Sequence, residues 1–359
     1  MLYRMNYEVT IGIPVYNAER HIRQTMDSAL AQTFQSIEFL ICDDCGNDSS
    51  IDIVKEYQQN HSRGKDIRIV RQPHNMGIGA ARNRMIDESQ GRFFYSLDAD
   101  DVITPDAIEL LYHAAKEYSA ELVYGSYERL YENEDKRRTV QYPYPFRVFT
   151  EPDEYATYAY HVGVQGMNWN YLISLDIIRK NHLRVTPVGH GYGEDFTFTV
   201  DLPTYVTRVV LLPNITYQYF IEEKVFKEKR KKLISREQMD KSIAALDTAK
   251  HRTELKERPY YAKRCAKIMM YDFSFAYEIV KRRKNIVPPY TDSEIHHVMW
   301  HPMSLSEILK AKKARKQNLF TWMLGKSPSS LSVMLIWLFV KYIDFKYCIH
   351  KPINVIDPK

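Results

Sequence analysis

Between residues 9 and 124, short apolar runs alternate with segments of helical periodicity, and this alternation most constrains the fold. Val9-Thr10-Ile11-Gly12-Ile13-Pro14, Ile37 to Cys42, Ile67 to Arg71, Arg92 to Leu97 and Glu121 to Tyr124 read as short strands, most of them rich in β-branched or aromatic residues. Tyr16-Asn17-Ala18 opens the first helical pattern, with Asn17 as its N-cap and Ile22, Met26, Ala29 and Leu30 on one face. Asp48 or Ser49 caps a second, Ile78 to Glu88 is a third, and Pro105 starts a fourth. Strand and helix alternating through short links predict a Rossmann-like α/β fold, a mostly parallel sheet wrapped by helices. In such sheets ligands bind beyond the carboxyl ends of the strands. The polar clusters stand at those ends: Tyr16/Asn17, Asp43/Asp44, Asn75 to Arg82, and Asp98 to Asp101.

The last cluster carries the most chemistry. Tyr95-Ser96-Leu97-Asp98-Ala99-Asp100-Asp101 joins an apolar run to three carboxylates in four positions. Carboxylates so close repel one another, and a divalent cation relieves the conflict. Hard oxygen ligands suit Mg²⁺ or Mn²⁺, which is typically shared between one or two carboxylates and a diphosphate. The plainer alternative makes Asp100 or Asp101 the cap of the helix that follows Pro105. Asp43 is placed to accept hydrogen bonds from a base or ribose, and Arg82 to reach a phosphate with its fork. Gly77-Ile78-Gly79-Ala80-Ala81-Arg82 begins like a dinucleotide fingerprint, but arginine holds the third glycine position and the third strand precedes it. A nicotinamide oxidoreductase is therefore disfavoured.

Further along, Tyr127 to Phe149 reads as a charged, then Tyr- and Pro-rich surface excursion. His161 to Trp169 is glycine-punctuated and suggests a strand pair, Leu172 to Asn181 looks helical, and Val209 to Leu212 suggests a further strand. Pro187 to Phe196 places three glycines just before Glu194 and Asp195. Residues 1–220 contain 21 Lys and Arg against 30 Asp and Glu, whereas residues 221–359 contain 29 against 15. The first part is acidic, and the second is a basic, mainly helical appendage with lysine clusters at 224–232, 281–284 and 310–316. Such asymmetry points the second part toward an anionic surface. Its apolar stretch, Leu331 to Val340, is about half of the roughly 20 residues that a spanning helix needs. The expected setting is cytoplasmic, with the basic part either in peripheral contact with the inner face of the cell membrane or forming a helical cap with solvated lysines. Nucleic acid is not expected, because no reading motif accompanies the charge. Cys42 and Cys45 have C-x-x-C spacing, but Asp43-Asp44 between them opposes a thiolate, and no second pair completes a zinc site.

Five pieces in order carry a resemblance: Ile13-Pro14-Val15-Tyr16-Asn17; Asp43-Asp44 with Gly46 and Asp48; Asn75-x-Gly77 with Ala81-Arg82-Asn83; Asp98-Ala99-Asp100-Asp101 with Pro105; and Glu194-Asp195. Over about residues 8–220 the chain resembles a family 2 glycosyltransferase of GT-A fold. The resemblance implies a nucleotide-sugar donor, of UDP type, bound by Pro14, Tyr16, Asn17, Asp43, Asn75, Arg82, Asp98, Ala99 and Asp100. It places Asp43 at the nucleobase and Asp98 and Asp100 at ribose, diphosphate and a Mn²⁺ or Mg²⁺ ion. It also implies inversion at the anomeric carbon, with Asp195 as general base and a glycan or lipid-linked saccharide as acceptor. Residues 1–220 would then be the GT-A catalytic domain, with about 8–125 for the donor and 126–220 for the acceptor. Two departures are visible: Cys45-Gly46-Asn47 stands where Gly-Ser usually follows the acidic pair, and no Gln-x-x-Arg-Trp follows Asp195. The second favours a single addition over processive synthesis. A sugar-nucleotide nucleotidyltransferase and a non-catalytic membrane-surface adaptor are the competing readings.

Overall fold

The structure, a computed structural model, describes residues 6–133, 136–160, 168–187, 195–222, 235–310 and 315–349. The chain divides into two compact units, residues 1–232 and 233–359. The boundary expected after residue 220 falls inside the last strand of the first unit.

Four strands of the first unit, β1 (Tyr7–Val15), β2 (Ile37–Asp43), β3 (Ile67–Arg71) and β4 (Gly91–Ser96), lie parallel in the order β3-β2-β1-β4. Helices α1 (Ile22–Leu30), α2 (Ser50–Asn60) and α3 (Ile78–Glu88) connect them. Val15 pairs with Asp43 and Asp43 with Arg71, so three strands end level. On the other side of β1, Gly12 pairs with Ser96, which brings Asp98 out beside the same edge.

The chain continues through β5 (Val102–Ile103), α4 (Ala107–Glu117), β6 (Leu122–Asn133), β7 (Lys136–Tyr142), β8 (Arg147–Phe149), α5 (Glu154–Tyr158), β9 (Tyr171–Ser174), α6 (Leu175–Lys180), α7 (Phe196–Tyr205) and β10 (Val209–Glu222). Beyond β4 the sheet is mixed. Strand β9 runs antiparallel between β4 and β6, while β10 runs parallel to β6 and antiparallel to β5 and β8. The expected surface excursion after Tyr127 is instead sheet: β6 extends to Asn133 and folds back as β7. Tyr127 stacks on Tyr142 across that pair at 4.7 Å, and Arg129 sits over the Tyr142 ring. The charged residues that suggested a loop occupy a hairpin. Similarly, Leu172 to Asn181 begins as a strand, and α6 starts only at Leu175. Of the strand pair expected over His161 to Trp169, residues 161–167 lie outside the described residues.

Side chains alternate between two cores with the period of a strand. Val9, Ile11, Ile13 and Val15 join Phe39, Ile41, Tyr95 and Leu97 under α1, α2 and α4. Leu40, Cys42 and Phe94 face the other way, onto Met85 of α3, Ile178 of α6 and Phe198 of α7. Gly12 belongs to this second face, where a Cβ would stand 2.7 Å from the Phe94 ring. Strands buried on both faces explain why β1 and β2 read as near-continuous apolar runs.

The described part of the second unit is helical: α8 (Arg236–Lys250), α9 (Tyr261–Arg282), α10 (Asp292–Met299), α11 (Leu305–Lys310), α12 (Arg315–Lys326) and α13 (Ser329–Ile349). Ser235 with Gln238 and Thr291 with Glu294 form capping boxes that start α8 and α10. Tyr261, Cys265 and Met269 of α9 pack with Met303 and Ile308. Inside this unit Lys250 is 1% exposed and lies 3.0 Å from both Asp247 and Asp272. Among the described residues no helix is long and apolar enough to cross a membrane. The lysine cluster at 224–232 and most of that at 310–316 lie outside the described residues or side chains.

Candidate active site

The loops after β1 and β2 are built together. Asn17 does not cap a helix. It takes a left-handed backbone, φ 50°, and its side-chain oxygen accepts from the Asn47 amide at 2.8 Å. Gly46 lies against it, where any Cβ would come within 2.8 Å of Asn17. Helix α1 starts later, at Ile22. Asp48 accepts from the Glu19 and Ser50 amides, which ties the start of α2 to the β1 loop. Local backbone bonding of this kind is what Asn and Asp side chains favour in loops.

Asp43 and Asp44 take different tasks. Asp43, at the end of β2, accepts from the Cys45 amide at 2.9 Å and lies 3.4 Å from the Arg71 guanidinium. Asp44 is buried and receives the Met76 and Gly77 amides at 2.8 and 2.9 Å, one on each oxygen. Burial raises its pKa, and the two amide bonds oppose that rise. It therefore staples the β2 loop to the start of α3, a role the sequence reading did not assign. Asn75 reinforces that turn by accepting from the Gly77 amide. Burial, with Asp44 beside it, pushes the Cys42 thiol up to about 12, which agrees with a structural cysteine.

Helix α3 brings the decisive side chains together. Gly79, Arg82 and Asn83 share one face, three and four residues apart. Gly79 lets the Thr186 carbonyl approach to where a Cβ would be 2.0 Å away. Asn83 pairs with both backbone groups of Val185, at 2.8 and 2.9 Å. Between these contacts, Arg82 is 4% exposed and lies 2.8 Å from Asp98 and 3.4 Å from Asp195. A buried guanidinium is tolerable only beside such partners. One planar fork thus links an acidic residue of the β4 loop to the acidic residue that heads α7. Asp195 makes no side-chain cap bond to α7. Glu194 lies outside the described residues.

The acidic loop itself is held from two sides. The Thr25 hydroxyl of α1 shares its proton between the carbonyls of Ala99 and Asp101, at 3.0 and 2.9 Å. Asp101 is fully buried and accepts from the Tyr217 hydroxyl at 2.7 Å and the Phe220 amide at 2.9 Å. Burial first, then Asp100 and Asp98, raises its pKa well above the usual carboxylate range. Trp169 stacks on Tyr217 with ring centres 4.5 Å apart. Asp98 and Asp100 are partly exposed, in contrast to Asp101. Neither Asp100 nor Asp101 caps the next helix, because α4 begins at Ala107 with Asp106 in the cap position. Of the remaining expected residues, Pro14 is buried opposite Cys42, while Tyr16 and Asn75 are exposed on loops at the same strand edge.

Among the described residues no three His, Cys, Asp or Glu side chains gather to hold a metal unaided. Two carboxylates, Asp98 and Asp100, are what this loop offers. That donor set fits Mg²⁺ or Mn²⁺ only as an ion completed by substrate phosphates and water.

A family model, described as glycosyl transferase family 2, matches residues 10–171, from β1 to the start of β9. The likeness lies in the part of the chain that holds the strand edge. This chain is 35% identical over 127 residues to the glycosyltransferase GlyA of Streptococcus pneumoniae, 35% of this chain and 18% of that protein. It is 31% identical over 215 residues to the putative glycosyltransferase EpsH of Bacillus subtilis, 59% of this chain and 60% of that one. The chain therefore spans less than two thirds of the length of either relative. A crystal structure of S. aureus TarS 1–349 in complex with UDP-GlcNAc aligns with 98% of this chain and 95% of its own, with TM-score 0.61 and 14% identity. That likeness shows the GT-A fold. The matched stretch contains every expected donor-side residue from Pro14 to Asp100, while Asp195 lies beyond it.

Proposed function

We infer that this protein is an inverting glycosyltransferase that moves a sugar from a UDP-sugar to a hydroxyl of a glycan or lipid-linked saccharide. The observation that carries this reading is the Arg82 bridge, in which one buried guanidinium meets Asp98 with one terminal nitrogen and Asp195 with the other. Displacement of a nucleoside diphosphate requires charge stabilisation on the leaving side and a base on the attacking side. Asp98 and Asp100 stand for the first, and Asp195 is assigned as the base that takes the acceptor's proton. Asp195 is 24% exposed at its side chain, open enough to meet a hydroxyl. Asp43, held by the Cys45 amide, is assigned to the nucleobase. A Mn²⁺ or Mg²⁺ ion held by Asp98 and Asp100 would neutralise the diphosphate when bound. The UDP-GlcNAc in a structure of the same fold supports a uridine nucleotide as the first donor to try.

The test is calorimetric titration with UDP-sugars, with and without Mn²⁺. Binding is expected to strengthen with the ion in the wild type, and Asp100→Ala should remove that gain. Equal affinity in all four conditions would reject the metal assignment. Release of pyrophosphate from a nucleoside triphosphate would point to a nucleotidyltransferase instead.

A further inference from the structure

Helix α13 (Ser329–Ile349) carries a surface for which catalysis has no use. Apolar residues run round most of its circumference, which is unusual for a helix on the outside of a protein. Ser332, Val333, Ile336 and Val340 are buried, and their spacing defines one inward face. That face is enough to hold the helix in its unit. The opposite face should then be polar, yet Leu331, Met334, Trp337, Leu338 and Tyr342 are 41 to 59% exposed. Leu331, Met334, Leu338 and Tyr342 follow the i, i+3, i+7, i+11 seam of a second apolar stripe. Contiguous exposed side chains of this size mark an interaction surface, unlike single scattered ones.

The composition of the occupant follows from what surrounds the stripe. Residues 233–359 contain 23 Lys and Arg against 12 Asp and Glu. Lys341 stands 5.8 Å over the Trp337 ring, a cation at the rim of an apolar face. Long basic stems, tryptophan and tyrosine are the side chains that settle at the boundary between headgroups and acyl chains. A second copy of this basic unit would bring like charges together, whereas an anionic bilayer removes the repulsion and takes up the apolar stripe. Nothing in the stripe offers the stacking and phosphate pattern of a nucleic-acid reader.

We propose that the outer face of α13 docks the protein on an anionic lipid surface, lying in the interface with Trp337 and Leu338 inserted and Lys341 on the headgroups. The assignment is independent of the glycosyltransferase reading, because no residue of the strand-edge site takes part in it.

Cosedimentation of the full chain with vesicles tests this directly. The full chain should pellet with equal parts phosphatidylcholine and phosphatidylglycerol, and far less with phosphatidylcholine alone, with the difference shrinking as salt rises. Trp337→Gln with Leu338→Gln should weaken vesicle binding by at least about tenfold, since each inserted side chain contributes apolar burial. Lys341→Glu, a change confined to an exposed charge, should give a smaller loss and serves where the double variant is poorly folded by circular dichroism. Absence of pelleting with anionic vesicles at low salt would overturn the proposal. So would equal binding by the wild type and both variants. A dimer in sedimentation velocity that Trp337→Gln with Leu338→Gln dissociates, without vesicle binding by the wild type, would assign the face to a second copy instead.

Discussion

Each unit of this protein buries one cation between two carboxylates, and the two clusters are opposites in setting. In the first unit Arg82 is flanked by Asp98 and Asp195, whose side chains are 19 and 24% exposed. In the second, Lys250 is flanked by Asp272, which is fully buried, and Asp247. Lys250 also donates to the Val298 carbonyl, so its directions are used within the helices. The arginine cluster sits where strands end and loops begin, and its acids come from segments nearly 100 residues apart in sequence. The lysine cluster joins helices to one another. The contrast teaches that burial of charge is not itself a sign of function. Exposure alone does not separate the two, since Asp247 is as exposed as Asp195; what does is that the arginine's acids stand at a strand edge.

The largest effect expected from this contrast is catalytic. Asp195→Asn keeps the shape beside Arg82 but removes the base, so transfer should fall by roughly 10²–10⁴-fold while calorimetric donor affinity stays within a few-fold. Near wild-type turnover would break the assignment. In the second unit the corresponding change acts on stability alone. Lys250→Met leaves Asp272 buried without its cation, and urea unfolding should show a loss of about 3–5 kcal/mol. Adding Asp272→Leu should recover much of that loss, and a double variant no better than the single one would mean that packing dominates.

A smaller effect is expected at Tyr217. Tyr217→Phe withdraws one of the two donors to Asp101 and should cost about 1–3 kcal/mol in unfolding experiments. It should also weaken donor binding, because the freed carboxylate adjoins Asp98 and Asp100; unchanged affinity would confine the residue to a structural role. The last expected change is with pH. Burial lifts Asp272 to about 7 from its ordinary 3.8, with Lys250 opposing the rise. The folded unit then keeps a proton that the unfolded chain has released, so this contribution is present below about pH 4 and is lost as pH rises to about 7. Asp272→Asn should flatten the fall in urea midpoint between pH 5 and pH 8, and an unaltered slope would place the effect elsewhere.

The strand edge that gathers the expected donor residues was legible because its information is local. Runs such as Ile37 to Cys42 are buried on both faces, so apolarity alone marks them, and the residues after each run fall on the strand edge by topology. Long-range contacts were not legible. Asp101 meets Tyr217 across 116 residues, and no spacing rule announces that pair. Asn17 has the composition of a cap, yet a tertiary partner, Asn47, holds it in a left-handed turn. β9 was hidden at the head of a helical pattern because four residues are too few to show a period. The β6–β7 hairpin was hidden by its charges, since β7 pairs with β6 on one side, and an edge strand can bear polar residues that a central strand excludes.

The single turn of α3 from Gly79 to Asn83 has a practical consequence. Asn83 and Gly79 fix the chain at Val185 and Thr186, and Arg82 meets it again at Asp195. One helix turn therefore holds Val185, Thr186 and Asp195 in common. A change in that turn accordingly bears on the 183–187 stretch and on the head of α7 together.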